Sequence, residues 1–197
     1  RSGSSIGLLA AVLFGASAPI SKLLLDDVGP QLLAGVLYLG AFLAVMPFVR
    51  RRGRAEAELR RSDGPVLAGI IVTGGIAAPV LLMLGLERVS GVEGSLLLNL
   101  EGPLTLLIGI VVLREFLGRR AGLGSLVIFG AAAILGLEVS GASVDGFGGL
   151  FVLAACLGWA IDNNLTQILS VRDPFQIVAV KTGVAALVNI TLALARG

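Results

Sequence analysis

The sequence has no histidine and one cysteine, and only 14% of its 197 residues are charged, 15 basic against 13 acidic. Without histidine there is no imidazole metal site and no Ser-His-Asp or Cys-His nucleophile pair. A lone Cys156 excludes an internal disulfide and any CxxC or zinc-ribbon cluster. Aromatic residues are sparse at 5%, with one Trp and one Tyr. Soluble chains carry about 25% charged residues, so this one lacks the polar surface a water-facing domain needs. What it has instead is 56% hydrophobic residues, 28 glycines and a mean hydropathy of +0.97. At about 20 residues per membrane-spanning helix plus a loop, the length allows roughly seven or eight spans. The chain starts at Arg1 and not at Met, and so reads as a piece of, or a product processed from, a longer one.

Long apolar runs predict seven spans: Ile6–Leu25, Leu32–Val49, Pro65–Leu86, Gly94–Leu113, Ala121–Leu137, Gly148–Leu169 and Gln176–Ala195. Alternating segments of about ten residues, the signature of a membrane barrel, do not occur. An all-α integral membrane protein is the remaining solution, because backbone groups in lipid must be satisfied within each segment. The first run is not a signal peptide: Leu23, Leu24, Leu25, Asp26 and Asp27 stand where a small-residue cleavage pattern would be. Basic residues set the orientation. Arg50, Arg51, Arg52, Arg54, Arg60 and Arg61 lie between spans two and three, and Arg114, Arg119 and Arg120 between spans four and five. The alternate loops carry Asp26, Asp27, Glu87, Glu93, Glu138 and Asp145, with Arg88 in opposition. The positive-inside rule then predicts cytoplasmic arginine loops and a cytoplasmic N-terminus. That reading of the arginines displaces a nucleic-acid patch, and no nucleic-acid partner is expected.

Spans one and two resemble spans six and seven. Phe14-Gly15 aligns with Trp159-Ala160, and the turn at Gly29-Pro30-Gln31 with Asp173-Pro174-Phe175-Gln176. Five spans separate the two starts, so the second copy enters from the opposite side, as in inverted-repeat secondary transporters. With FGASAPISKLLL in span one, LLLNLEGPLTLLIGIVVLREFLGRR at spans four to five and LGWAIDNNLTQ in span six, the chain resembles the EamA-type members of the drug/metabolite transporter superfamily over essentially its whole length. The resemblance implies ten helices in two inverted five-helix repeats with both ends cytoplasmic. Residues 1–138 would be the first repeat and 148–197 a partial second one, giving seven helices of a truncated ten-helix transporter. It also implies a multi-pass protein of the bacterial inner membrane, with the lipid bilayer, a small-molecule substrate and protons as partners and no cofactor or metal.

Ionisable groups in a bilayer cost about 2.5–3.5 kcal/mol each on insertion scales, so each asks for a reason. Glu101 lies near the middle of span four, and on a helix it shares a face with Leu98, Thr105 and Gly109. It is expected either to bind proton or substrate, burial favouring the protonated carboxyl, or to hold the bundle through an interhelical hydrogen bond. Pro103 removes the donor to the carbonyl of Asn99, Pro19 that to Gly15 and Pro79 that to Gly75, which predicts kinks with freed carbonyls and sets the Asn99 amide near Glu101 as a further binding candidate. Asp162 and Lys181 stand about symmetrically around the turn near Val171, at similar depth on adjacent helices. An ion pair is therefore expected, as a structural salt bridge or as a gate or substrate contact. Asn163, Asn164, Thr166 and Asn189 add hydrogen-bonding groups.

Lys22 is expected to snorkel to water or to pair with Asp26 or Asp27. Gly74, Gly75, Gly122, Gly130 and Gly136 predict close helix approach, and Cys156 a small apolar filler. The resemblance places Trp159 toward the cavity, with an ordinary lipid or packing contact as its alternative. It also implies a basic residue at Lys181, where the first repeat has Leu37, and an interfacial acidic residue at Glu115.

No enzyme is expected. Rhomboid-like and zinc intramembrane proteases need histidine, and Asp162 has neither a facing aspartate nor a GxGD context. A retinal protein with Lys181 as its Schiff base would start outside and need aromatic walls. The reading is an alternating-access, proton-coupled exporter of a small metabolite, its cavity lined by spans one, three, four and six and Glu101 its coupling carboxylate. The alternative is a non-transporting membrane fragment or structural membrane protein.

Overall fold

A computed structural model describes residues 2–49, 56–114, 118–139 and 146–196. Arg50, Arg51, Arg52, Arg54, Glu115, Asp145 and the side chain of Glu138 lie outside the described residues. Each predicted span falls on helix. The helices are α1 (Ser2–Leu24), α2 (Pro30–Val49), α3 (Gly64–Ile70), α4 (Ala78–Arg88), α5 (Gly91–Leu98), α6 (Glu101–Val111), α7 (Arg119–Val139), α8 (Gly146–Ile168) and α9 (Pro174–Arg196). Among the described residues, six stretches are long and apolar enough to cross a membrane: Ser4–Leu24, Pro30–Val49, Arg61–Arg88, Gly91–Val111, Gly146–Ile168 and Pro174–Arg196. Helix α7 covers the remaining predicted span and contains the shorter apolar stretch Gly122–Ala131. Proline begins both α2 and α9, where its missing N–H is an orphan in any case.

Two spans are irregular. The third runs from a 3₁₀ turn at Arg61–Asp63 through α3, a π-helical segment at Ile71–Ala77, and α4. The fourth is broken between α5 and α6 rather than continuous. Ser90 starts α5 with a capping box: its Oγ accepts from the Glu93 amide at 3.1 Å, and the Glu93 carboxylate accepts from the Ser90 amide at 2.8 Å. Helix α6 restarts at Glu101, which puts Pro103 in its first turn, where a missing donor breaks no intrahelical bond. Pro103 thus ends one helix and permits the next.

Small residues bring the helices together. A Cβ on Gly35 of α2 would lie 2.7 Å from Ile190 Cγ1 of α9, and one on Gly85 of α4 would lie 2.6 Å from Val152 Cγ2 of α8. A Cβ on Gly75 would lie 3.1 Å from Ala185 Cβ, but one on Gly130 would meet nothing within 4 Å. Gly130 was expected to seat a neighbour and looks outward instead. Ala34, Ala78, Leu86, Val152, Ala155 and Cys156 belong to the buried apolar core. Large apolar side chains such as Leu23, Leu126 and Leu187 are about two-thirds exposed or more, the surface expected where lipid is the solvent.

Contacts sort the helix ends to two sides. At one end Lys22 donates to the carbonyls of Leu86 (2.6 Å) and Glu87 (3.0 Å), capping α4, so its charge is met by backbone at a helix terminus. On that side too, Arg196 donates to Gln31 Oε1 (2.8 Å), and Gln31 donates to Asn189 Oδ1 (3.2 Å). At the opposite end of the same α2–α9 pair, Phe48 and Phe175 stack with centroids 5.5 Å apart.

Candidate functional site

The site is organised by a backbone irregularity. In the π-helical segment the Ala78 amide donates five residues back, to the Thr73 carbonyl. The next amide in that register would serve Gly74, but residue 79 is proline and has none. The Gly74 carbonyl is satisfied from outside: Tyr38 Oη of α2 donates to it at 2.6 Å and Trp159 Nε1 of α8 at 3.0 Å. Trp159 Nε1 is also 3.4 Å from Tyr38 Oη. In the π register Pro79 therefore leaves the Gly74 carbonyl without a backbone donor, as the four-residue count does for Gly75. Pro19 behaves as an α-helical proline should, and the Gly15 carbonyl accepts from Ser95 Oγ at 3.4 Å.

Gly74 also makes room for charge. Asp162 of α8 packs directly on it, and a Cβ there would overlap the carboxylate. The same carboxylate pairs with the Lys181 ammonium of α9. Asp162 is 2% exposed, and Thr166 Oγ1, one turn on, donates to its other oxygen at 3.3 Å. The expected ion pair across the α8–α9 hairpin is thus present. Its aspartate is the more deeply buried member, with a side chain 3% exposed against 18% for Lys181.

The second polar group joins α6 to α8. Asn163 Nδ2 donates to Glu101 Oε1 at 2.9 Å and approaches Thr105 Oγ1 at 3.3 Å. Thr105 Oγ1 donates back to the Glu101 carbonyl at 2.8 Å. Asn164 is buried and donates to the Thr105 carbonyl at 3.0 Å and to the Ala160 carbonyl at 2.8 Å. Glu101 and Trp159 are half-buried and Asn163 is exposed, so this group opens to one side while Asp162 stays sealed.

Glu101, Thr105, Asn163, Asn164, Trp159, Asp162 and Lys181 therefore converge around α8. Asn99 does not join them. At the C-terminus of α5 its amide turns back onto the carbonyls of Ser95 (3.1 Å) and Leu96 (3.2 Å). Asn99 is exposed there, while its neighbour Leu98 is buried. Cys156 is fully buried and its Sγ lies 3.6 Å from the Leu97 carbonyl. Tyr38 is the participant the sequence reading missed. The available signal was a lone tyrosine in the middle of an apolar helix, beside the Leu37 that aligns with Lys181. The polar group draws on α2, the π segment, α6, α8 and α9. Among the described residues, no group of three or more His, Cys, Asp or Glu could hold a metal ion.

Comparison with known proteins agrees with this architecture. The EamA-like transporter family matches residues 1–137. An uncharacterized transporter of Methanothermobacter thermautotrophicus is 30% identical over 96% of this chain and 60% of its own length. The uncharacterized transporter YetK of Bacillus subtilis is 23% identical over 85% of this chain and 52% of its own length. The chain thus spans between half and two-thirds of the curated relatives it matches. No solved structure matches it.

Proposed function

Since the chain belongs to the EamA-like transporter family, we propose that it forms the first repeat (1–138) and the start of a second, inverted repeat (148–197) of a proton-coupled secondary transporter for a small metabolite. The observation that carries this reading is the contrast between the two acids, Asp162 buried and Glu101 half-buried. Asp162 meets a full countercharge in Lys181, whereas Glu101 meets the neutral amide of Asn163 at the open edge of the cluster. A carboxylate held by a neutral donor in a bilayer changes its charge by taking up a proton, and half-exposure gives proton and substrate a way in. In this reading Asp162–Lys181 anchors α8 to α9, and Glu101 is the working group. Thr105, Asn163 and Asn164 position it, and Trp159 offers an aromatic wall one helical turn from Asn163. The two repeats rock about this site in alternating access. The N-terminus and the arginine loops face the cytoplasm of a bacterial inner membrane.

The test is flux through the gene product that contains this chain, reconstituted in liposomes under a pH gradient with a panel of small metabolites. Glu101→Gln keeps the hydrogen-bond geometry with Asn163 but cannot ionise. It should reduce pH-driven flux by about 100-fold, a factor within the range general acid–base groups supply, while substrate binding persists. Undiminished pH-driven flux in that variant would remove Glu101 from the mechanism.

A further inference from the structure

We propose that the segment Ala57–Asp63 and the α8–α9 turn form a releasable two-layer seal, closing the polar site toward the arginine-rich side of the membrane. The inference rests on the transport reading above and adds a gate to it. The connection from Val49 to Arg61 is longer than the about 2–8 residues usual between packed helices, and its second half is bound across the bundle. Ala57 and Arg172 form a parallel bridge: the Ala57 amide donates to the Val171 carbonyl at 3.2 Å, and the Asp173 amide donates to the Ala57 carbonyl at 2.9 Å. The Leu59 amide donates to Gln176 Oε1 at 3.0 Å. Asp63 then meets Arg172, with Nε 2.8 Å from Oδ2 and Nη2 donating to Oδ1 at 3.1 Å. The Arg60 amide donates to the same carboxylate at 2.8 Å.

Beneath this polar layer lies an apolar one. Ile70, Leu169 and Ile177 are buried together, with Leu59, Val66, Leu67 and Leu165 packed around them. Leu165 and Leu169 follow Asp162 on α8 by three and seven residues, so the plug lies within about 10 Å of the ion pair along the helix. A Cβ on Gly69 would stand 2.8 Å from Leu165 Cδ1, which leaves no gap between α3 and α8 at this level.

The two layers do different work. The plug excludes water and ions by having nothing to solvate them. The Asp63–Arg172 pair is 10% and 14% exposed, near enough to water that separating it carries a modest desolvation change either way. The contacts to Val171, Arg172, Asp173 and Gln176 join the first repeat to the second, so rocking one against the other must break them. A segment serving only to link α2 to α3 needs none of these bonds.

The experiment reads accessibility and needs no substrate. In a Cys156→Ala background of the full gene product, Leu169→Cys reports on the plug and Val152→Cys on the separate core of α4 and α8. Both are exposed to a membrane-impermeant maleimide from the arginine-rich side. With the latch intact, both should label slowly. Asp63→Asn and Arg172→Gln should each speed labelling at residue 169 about tenfold, as expected when a closed state loses that factor in population, and leave residue 152 slow. The swap Asp63→Arg with Arg172→Asp should return residue 169 toward the slow rate. Unchanged labelling at 169, or equal acceleration at 152, would overturn the seal. Because the readout requires no transport, it can fail while the Glu101→Gln flux test succeeds, and the reverse.

Discussion

Asp162→Asn should destabilise the folded chain by about 3–5 kcal/mol, the range for stranding one member of a buried ion pair. The double replacement Asp162→Leu with Lys181→Met should fall close to the parent. The single change leaves the Lys181 ammonium in the bundle core without its countercharge. It also replaces one of the two carboxylate oxygens that accept from Lys181 and Thr166 with an amide nitrogen, which can only donate. The double change removes both charges and fills the space with apolar volume, which often proves neutral or stabilising for buried pairs. Denaturant titration in detergent, followed by far-UV circular dichroism, gives both numbers. If the double variant were as unstable as the single one, the pair would be holding more than its own charges, and its anchoring role would be wrong. Flux through the double variant separates the roles further. An anchor can be replaced with transport retained, whereas a substrate contact cannot.

The spans were legible because a bilayer demands about 20 apolar residues, and few sequences satisfy that by chance. The Asp162–Lys181 pair was legible for a related reason: equal distance from one turn fixes equal depth, and one charge in lipid calls for another. The partner of Glu101 was not, because Asn163 is on a helix more than sixty residues away, and lateral neighbours cannot be read from depth. Asn99 is expected near Glu101 from the proline rule, which counts backbone bonds and says nothing of where an amide side chain turns; it turns back onto its own helix. The Gly74 carbonyl was not foreseen as an acceptor, because only the α-helical register was counted. The proline rule counts four residues back, and it counts five where the helix is π. Tyr38 followed from that miss: until Gly74 is known to lack an amide donor, nothing requires a hydroxyl opposite it. The arginine-rich loop was read for its charge alone, which is a topological signal, and the bonds of Ala57 and Leu59 across the bundle use backbone groups that carry no sequence signature.

Gly74→Ala should be among the most damaging single-methyl additions in the chain. Its Cβ would fall 2.5 Å from Asp162 Cβ and overlap the carboxylate, so either α8 moves away or Asp162 leaves its rotamer and its lysine. Overpacking of this kind costs about 1–3 kcal/mol, and loss of the ion-pair geometry adds to it. The displaced α8 also carries Trp159 off the Gly74 carbonyl, leaving a buried acceptor short of a donor at about 1–3 kcal/mol more. Gly130→Ala is the matched control: nothing lies within 4 Å of its Cβ, and alanine is the better helix former by about 1 kcal/mol. Stability should therefore fall in the first variant and hold or rise in the second. Trp159 is the only tryptophan of this chain, so its fluorescence reports the local event directly. Gly74→Ala should shift and broaden the emission as the indole N–H loses its carbonyl, while Trp159→Phe should cost only about 1 kcal/mol, one hydrogen bond with most of the ring retained. A stable Gly74→Ala protein with unaltered emission would mean that Asp162 and Trp159 do not meet at Gly74, and the π-helical segment would lose its place as the organiser of the site.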